Sequence, residues 1–274
     1  MNAILQDNPS DTLQMFLSDF GSFREIDEEK ISAICRSTVR WKNVSKAQPD
    51  NAPELVELER RWYDSLPEPD YAVYDTDEYV GDLWSSWIIY SRKYLTEIQQ
   101  DKSMPPAGIV GSMGHVRRVV DLGCGCGHST AALAQLFPEA EVVGTNLDGT
   151  VQMSVARVMG DRYGFSMAAT VMDAEGQTDL VFASEYFEHI RSPISHLFEV
   201  VEYLQPQYLL IANSFGTLST GHFVDYEIFG RTIDGRRTSK LFNKALRKLG
   251  YDKMQTALWN SRPMFWRKRR SGQT

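Results

Sequence analysis

The fold is decided by the stretch Val119-Val120-Asp121-Leu122-Gly123-Cys124-Gly125-Cys126-Gly127. Its two valines and acid indicate a buried strand, and the three alternating glycines indicate a tight turn, because glycine adopts positive φ and lets a ligand approach the main chain. The apolar run from Ala131 to Phe137 predicts a helix behind the turn. A strand, a glycine-rich turn and a helix in this order are typical of a nucleotide-binding unit.

The spacing of these glycines argues against a phosphate ligand. A pyrophosphate site reads G-x-G-x-x-G, whereas this chain has acid-x-G-x-G-x-G, and the Asp121 carboxylate would repel phosphates. Such a carboxylate suits a ligand with an ammonium group, through charge-assisted hydrogen bonds. The string resembles the first motif of the class I S-adenosylmethionine-dependent methyltransferases. A turn that binds no ligand is the alternative, although the backbone entropy lost by three glycines must then be offset elsewhere.

The resemblance covers roughly residues 110–268 and implies a fold, an activity and a cofactor. The implied fold is α/β, a doubly wound, mostly parallel seven-stranded sheet with an antiparallel last strand, preceded by a mainly helical cap. The implied activity is enzymatic methyl transfer from S-adenosyl-L-methionine, with S-adenosyl-L-homocysteine as product. The string Asn-Leu-x-x-x-x-Gln, ending at Gln152, is similar to the branch of the family that methylates small molecules.

Residues 1–105 lie outside this resemblance and are interpreted as a helical cap or lid, with the methyltransferase domain at 106–274. Apolar periodicity predicts helices in four places: Thr12–Phe20, Glu28–Val39, Glu54–Ser65 and Asp82–Gln100. A connector is predicted at 48–53 and the domain boundary at 104–108. Aromatic residues concentrated between Tyr71 and Tyr94 either cover the sheet or form a lid over a substrate pocket.

The family's cofactor contacts fall at the ends of the first four strands. The later three of these strands are predicted at Glu141–Leu147, Ser166–Met172 and Asp179–Ser184. The resemblance thereby implies the contacts Asp121, Gly123, Cys124, Gly125, Gly127, Asn146, Leu147, Asp173, Ala174 and Ser184.

Two of these implied contacts raise difficulties. Asn146 stands where the family usually has a ribose-binding acid, so Asp148 is an alternative, unless it caps the next helix. Asp173 is the candidate contact for the adenine amino group of the cofactor. The link from Asp173 to the strand at Asp179 is too short for the usual crossover helix, so either that helix is missing or the strand ends are misplaced.

The catalytic candidates follow the fourth strand. Methyl transfer from a sulfonium is an in-line displacement, so the protein supplies alignment and, where needed, a base. Histidine titrates near neutrality, and His189 is therefore the candidate base or substrate-positioning group, with Glu188 either orienting it or touching the cofactor side. Glu185 shares a helical face with them, and His222 lies in a His-aromatic loop similar to one in this family. The alternative is that His189 only caps a helix or packs on the sheet.

A rival interpretation uses the same residues as metal ligands. Glu185, Glu188, His189 and His222 resemble the metal-binding set of the small-RNA 2′-O-methyltransferases, and mixed oxygen and nitrogen ligands suit Mn²⁺, Mg²⁺ or Zn²⁺. A further ligand is not evident, because His196 lies on the next helix and His115 before the first strand. The favoured interpretation therefore assigns no metal ligand.

Composition bears on partners and compartment. The formal charge of the 274-residue chain is −7, which argues against a general polyanion binder. No apolar window is long enough to span a membrane, the first twenty residues do not resemble a secretion signal, and three cysteines suit a reducing cytoplasm.

A small-molecule acceptor is favoured over nucleic acid (RNA 2′-O or DNA). The basic tail Arg267-Lys268-Arg269-Arg270 either touches nucleic acid or acidic lipid or is a solvated end. A cofactor-binding protein without catalysis remains a third class.

Overall fold

The computed structural model describes residues 4–44, 53–101 and 108–269. The predicted connector and the predicted domain boundary fall almost entirely outside these ranges, as does Arg270. Three unpaired cysteines, Cys35, Cys124 and Cys126, are buried. Within the described ranges, no helix combines the length and the apolar character needed to cross a bilayer.

The centre of the molecule is a seven-stranded sheet with the order β3-β2-β1-β4-β5-β9-β8. Strand β9 runs antiparallel to both of its neighbours, β5 and β8, and the other pairs are parallel. The predicted fold class is therefore confirmed. The strands, including a separate hairpin of β6 and β7, are β1 (Arg118–Leu122), β2 (Glu141–Thr145), β3 (Ser166–Ala168), β4 (Leu180–Ser184), β5 (Tyr208–Ala212), β6 (Asp225–Ile228), β7 (Arg231–Asp234), β8 (Tyr251–Lys253) and β9 (Met264–Lys268).

Helices cover both faces of this sheet and build the N-terminal segment. They are α1 (Pro9–Gly21), α2 (Glu28–Val44), α3 (Pro53–Ser65), α4 (Asp77–Ser86), α5 (Arg92–Gln100), α6 (Gly108–Ser112), α7 (His128–Leu136), α8 (Val151–Tyr163), α9 (Pro193–Leu204) and α10 (Gly235–Lys248). A π-helical turn at Trp87–Ser91 joins α4 to α5, so the predicted helix Asp82–Gln100 belongs to a longer helical run.

Strand β1 lies between β2 and β4 and is buried on both faces. Val120 and Leu122 pack in the same apolar cluster as α9, whereas Val119 packs on the other side with α7. This two-sided burial explains why the strand sequence is almost continuously apolar. In the register of the sheet, Asp121 lies opposite Gly144 and Phe182.

Strand β3 is shorter than predicted, and two other local features had been left open or were not predicted. Strand β3 ends at Ala168 rather than Met172, and the chain between β3 and β4 forms turns without a helix, as the short link required. Helix α8 is capped by Thr150, whose side chain accepts from the Met153 N–H, and not by Asp148. The β6–β7 hairpin was not predicted, because its strands are short and largely exposed on one side.

The N-terminal segment is packed into the same core as the sheet. Trp62 of α3 is fully buried in the apolar cluster that also contains Val181 and Phe223. Its indole N–H donates to the His222 carbonyl at 2.7 Å. Tyr63 also bonds to the main chain of Ser219. The cap and the loop after β5 are therefore joined by both apolar and polar contacts.

We expect Trp62→Ala to lower the free energy of unfolding by about 3–5 kcal/mol, since it removes a large buried ring and leaves a cavity. Urea denaturation followed by circular dichroism measures this change. Phe229→Ala is the matched control, because Phe229 is 74% exposed and its removal should cost less than about 1 kcal/mol. Equal effects of the two substitutions would show that the cap does not stabilise the sheet domain.

Candidate functional site

The glycine turn after β1 adopts a backbone that requires glycine. Gly123, Gly125 and Gly127 have φ values of 65°, 56° and 85°, a region that residues with a Cβ rarely adopt. A Cβ on Gly125 would lie 2.9 Å from Leu83 Cδ1 of helix α4. The predicted turn is therefore present, and the N-terminal cap packs directly against it.

Asp121 ties the end of β1 to the first turn of α7. Its Oδ2 atom accepts hydrogen bonds from Ser129 Oγ at 2.6 Å and Thr130 Oγ1 at 2.8 Å. Burial raises the pKa of Asp121 to about 7, and the two hydroxyl donors oppose this shift. The carboxylate thus holds the two ends of the glycine turn together, and its contact with a ligand amine stays a prediction.

Asn146, just after β2, braces the same turn. Its Nδ2 donates to the Gly125 carbonyl at 2.8 Å, and its Oδ1 accepts from the Leu147 N–H at 2.8 Å. Asp148 lies further out, and its side chain, 65% exposed, pairs with Arg157 at 3.2 Å. An amide, with one donor and one acceptor, makes both contacts of Asn146, which a carboxylate could not. This explains the departure from an acid at this position.

The remaining predicted cofactor residues are divided between two regions. Cys124 is buried within the turn, and Ser184 at the end of β4 accepts from Ser91 Oγ of the cap at 3.0 Å. The Ala174 carbonyl instead accepts from the Arg118 guanidinium at 3.1 Å, and Arg118 begins β1 at the opposite edge of the sheet. The segment with Asp173 is thus drawn away from the carboxyl ends of the strands, which leaves the adenine assignment a prediction without geometric support.

Glu188 is the buried centre of the candidate catalytic cluster. Its side chain is fully buried, and its Oε1 accepts from the Ser214 N–H at 2.6 Å. Its Oε2 has no hydrogen-bond donor among the described residues. Burial, and after it the carboxylate of Glu185, raises the pKa of Glu188 well above its usual range. Glu185 itself has a φ of 52°, so the chain bends sharply where β4 ends.

His189 and His222 lie next to this carboxylate with their rings in edge-to-face contact. The ring centroids are 4.7 Å apart. His222 Nδ1 lies 2.9 Å from the Thr217 carbonyl, which fixes this nitrogen as the donor and leaves Nε2 with a lone pair. Burial lowers the pKa of both histidines, and for His189 the neighbouring His222 adds to the effect. Both imidazoles are therefore neutral near pH 7.

The close approach at this cluster depends on Gly221. This residue has a φ of 87°, and a Cβ on it would lie 2.5 Å from His189 Nδ1 and 2.6 Å from the Tyr74 hydroxyl. The Tyr74 hydroxyl is 3.3 Å from His189 Nδ1. The N-terminal cap thus contributes a phenol to the site, which agrees with the lid alternative for the aromatic segment.

Sequence reasoning did not single out Tyr74, Ser214 or Trp62 as site residues. Ser214 acts through its main-chain N–H, which leaves no sequence signal. Trp62, which holds the His222 carbonyl, and Tyr74 come from parts of the chain without a motif. The density of aromatic residues near Tyr74 was the only available indication.

Three groups of the predicted metal set are brought together. One potential ligand atom each from Glu185, Glu188 and His222 lies within 4.8 Å of the others. His189 adjoins His222 without belonging to this group of three. The arrangement provides two carboxylates and an imidazole whose outer nitrogen is oriented by a main-chain carbonyl, as is common for metal-binding histidines.

Known proteins resemble the central part of the chain. Residues 119–207 match the model of a family described as a methyltransferase domain. Trans-aconitate 2-methyltransferase of Methylobacterium radiotolerans is 30% identical over 129 residues, covering 46% of this chain and 44% of that protein. Ubiquinone biosynthesis O-methyltransferase of Roseobacter denitrificans is 33% identical over 103 residues, covering 35% of this chain and 40% of that protein. The chain thus spans less than half the length of these curated relatives.

Among solved structures, an O-methyltransferase family protein from Burkholderia thailandensis aligns over 97% of this chain and 89% of that one, at 13% identity and a TM-score of 0.49. The residues that match the family model include the glycine turn, Asn146 and the segment Glu185–His189. Residues 119–207 match a methyltransferase domain, and the sheet that contains them has a Rossmann-like strand order.

Proposed function

We propose that this protein is an enzyme that transfers a methyl group from S-adenosyl-L-methionine to an oxygen, nitrogen or carbon of a small-molecule acceptor. The observation that carries the proposal is the position of the glycine turn and the Glu188 cluster, which follow the adjacent parallel strands β1 and β4. Ligands of open α/β sheets bind outside the carboxyl ends of such strands, where the strand order reverses. Relatives that methylate trans-aconitate and a ubiquinone precursor support a small acceptor.

The residues fit this cofactor. The glycine turn offers a backbone surface without Cβ atoms, Asp121 places a carboxyl group beneath it, and Asn146, Leu147 and Ser184 follow or end the neighbouring strands. S-adenosyl-L-methionine supplies an electrophilic methyl group attached to a sulfonium. The protein then has to hold the acceptor in line and keep water out, and the aromatic residues of the cap suit both tasks.

Within this proposal, His189 accepts the acceptor's proton or positions the acceptor, and Tyr74 orients the imidazole. The acceptor atom forms a bond to the methyl carbon while the carbon–sulfur bond breaks. Where the acceptor atom carries a proton, that proton passes to His189. Glu188 supports the turn through the Ser214 N–H. His222 packs against the His189 ring and limits its orientations.

Gly125→Ala should weaken the binding of S-adenosyl-L-homocysteine at least tenfold, because a methyl group would occupy the ligand-facing surface of the turn and collide with Leu83. Isothermal titration calorimetry measures the affinity. Gly164→Ala is the matched control, since Gly164 also has a positive φ of 80° but faces open space. It carries the same backbone strain of about 1 kcal/mol. Equal weakening in both variants, or no binding by the wild type, would contradict the cofactor site.

His189→Ala should reduce kcat/KM by about 10²- to 10⁴-fold, the usual contribution of a general base, without changing the affinity for S-adenosyl-L-homocysteine. Turnover is followed by S-adenosyl-L-homocysteine release with a panel of carboxylates, phenols and amines. His115→Ala serves as control, because the His115 side chain is 65% exposed. Wild-type turnover by His189→Ala on an accepted substrate would remove His189 from the mechanism.

A second candidate function is metal-assisted methylation of a nucleic-acid hydroxyl. The specific observation in its favour is the group of Glu185, Glu188 and His222. The orphaned Glu188 Oε2 and the outer nitrogen of His222 fit a divalent cation, which would offset the repulsion between the buried Glu188 and the half-buried Glu185. The cation would then lower the pKa of a bound ribose hydroxyl.

Metal analysis separates the two candidates. The second candidate function predicts that the wild-type protein retains about one ion per chain after incubation with Mn²⁺ and dialysis. The Glu188→Gln variant should retain none, because an amide binds cations less strongly than a carboxylate. Glu202→Gln, an exposed residue of α9, should keep the ion. A wild-type protein that retains no Mn²⁺, Mg²⁺ or Zn²⁺ would eliminate the metal-assisted reaction while leaving the first candidate intact.

A further inference from the structure

Helix α10 carries a one-sided cationic surface, which we call the basic face. It consists of six exposed side chains: Arg236, Arg237, Lys240, Lys244, Arg247 and Lys248. At 3.6 residues per turn, all six fall within an arc of about 120° and extend over about 18 Å along the axis. The helix contains no acidic residue. This concentration occurs in a chain whose formal net charge is −7.

The opposite side of α10 is fixed in the core. Thr238, Phe242, Ala245 and Leu246 are buried, and the Phe242 ring packs on Phe187 at a centroid distance of 4.8 Å. The apolar side of the helix is therefore occupied. A surface helix that binds a membrane needs that side free for insertion, so the basic face has only charge to offer.

The cations of the basic face have few internal partners. In the described part of the chain, only Asp234 forms an ion pair with this face, at 3.6 Å from the Arg237 guanidinium. Both side chains are more than half exposed, so the pair is weak. Ordinary helix surfaces intersperse acids with bases. The uncompensated charge of α10 is therefore not required to stabilise the helix.

The basic face continues onto the C-terminal strand. The Arg269 guanidinium donates to the Arg247 carbonyl at 2.7 Å, and Lys268 Nζ donates to the Leu249 carbonyl at 2.7 Å. Lys268 and Arg269 of the basic tail thus lie against the end of α10. At its other end, Gly235 packs against the Phe215 carbonyl, in the loop whose Ser214 N–H binds Glu188. The basic face therefore extends from the vicinity of the Glu188 cluster to the C-terminal strand.

We propose that the basic face binds the phosphate backbone of a nucleic acid. Six cations spread over about 18 Å suit the regularly repeated charges of a phosphate backbone, which bind Lys and Arg with release of counterions. Arginines, which make up half of the face, bind phosphate through two parallel N–H groups. Stable protein interfaces are anchored by aromatic or apolar residues, and α10 exposes none. This binding is independent of which atom the enzyme methylates.

Fluorescence anisotropy with a labelled, mixed-sequence single-stranded RNA of about 20 nucleotides, longer than a typical single-strand site, tests the proposal. We expect a dissociation constant on the order of 10 µM or tighter at low salt. The triple variant Lys240→Gln/Lys244→Gln/Arg247→Gln should bind at least tenfold more weakly. Its slope of log affinity against log salt should fall by about 2, since each phosphate contact in a single strand contributes about 0.7.

The control is Arg36→Gln/Arg60→Gln/Arg157→Gln, which changes the net charge equally at exposed sites away from α10. It should bind RNA nearly as well as the wild type. Circular dichroism verifies that both variants are folded. Equal losses in the two triple variants would reduce the binding to overall charge and overturn the proposal. Tighter binding to poly-glutamate or to phosphatidylserine vesicles than to RNA would also overturn it.

Discussion

The structure depends on a buried carboxylate that accepts two hydroxyl hydrogen bonds. Asp121 ends the central strand, and Ser129 and Thr130 begin the helix behind it. These bonds close the glycine turn at its base, while Asn146 fixes the Gly125 carbonyl at its top. A buried acid whose pKa is raised to about 7 is costly. The two hydroxyl donors offset part of this cost and join the strand to the helix across the turn.

A second constraint lies one strand away, where Glu188 joins three separate segments. Its side chain accepts from Ser214 after β5, and its carbonyl accepts from Phe223 before the hairpin and from the Tyr226 hydroxyl. The cap completes the arrangement, because Trp62 binds the His222 carbonyl and Tyr74 reaches His189. The geometry of this cluster therefore depends on the packing of the N-terminal segment, although the described residues of that segment contribute no strand to the sheet.

Much of this architecture follows from local sequence. Strands β1, β2, β4 and β5 could be predicted because burial on both faces of the sheet requires continuous apolar runs. The three spaced glycines indicated the turn. Strand β3 was predicted too long, because the apolar run continues to Met172 whereas only three residues pair with β2. The predicted segment Glu188–His189 lies beside Glu185 and His222 in the structure, and its catalytic role stays a prediction. Sequence reasoning could not capture the Ser214 and Tyr74 contacts, since these arise from tertiary packing between distant segments.

The central claim is that the turn from Gly123 to Gly127 is the cofactor site. A crystal structure of the protein grown with S-adenosyl-L-homocysteine tests it most directly. The account predicts density for the ligand across this turn, with the amino group on the Asp121 side, the ribose beside Asn146 or Asp148, and the sulfur directed towards His189. Density elsewhere, or a turn still covered by Leu83 at saturating ligand, would contradict it.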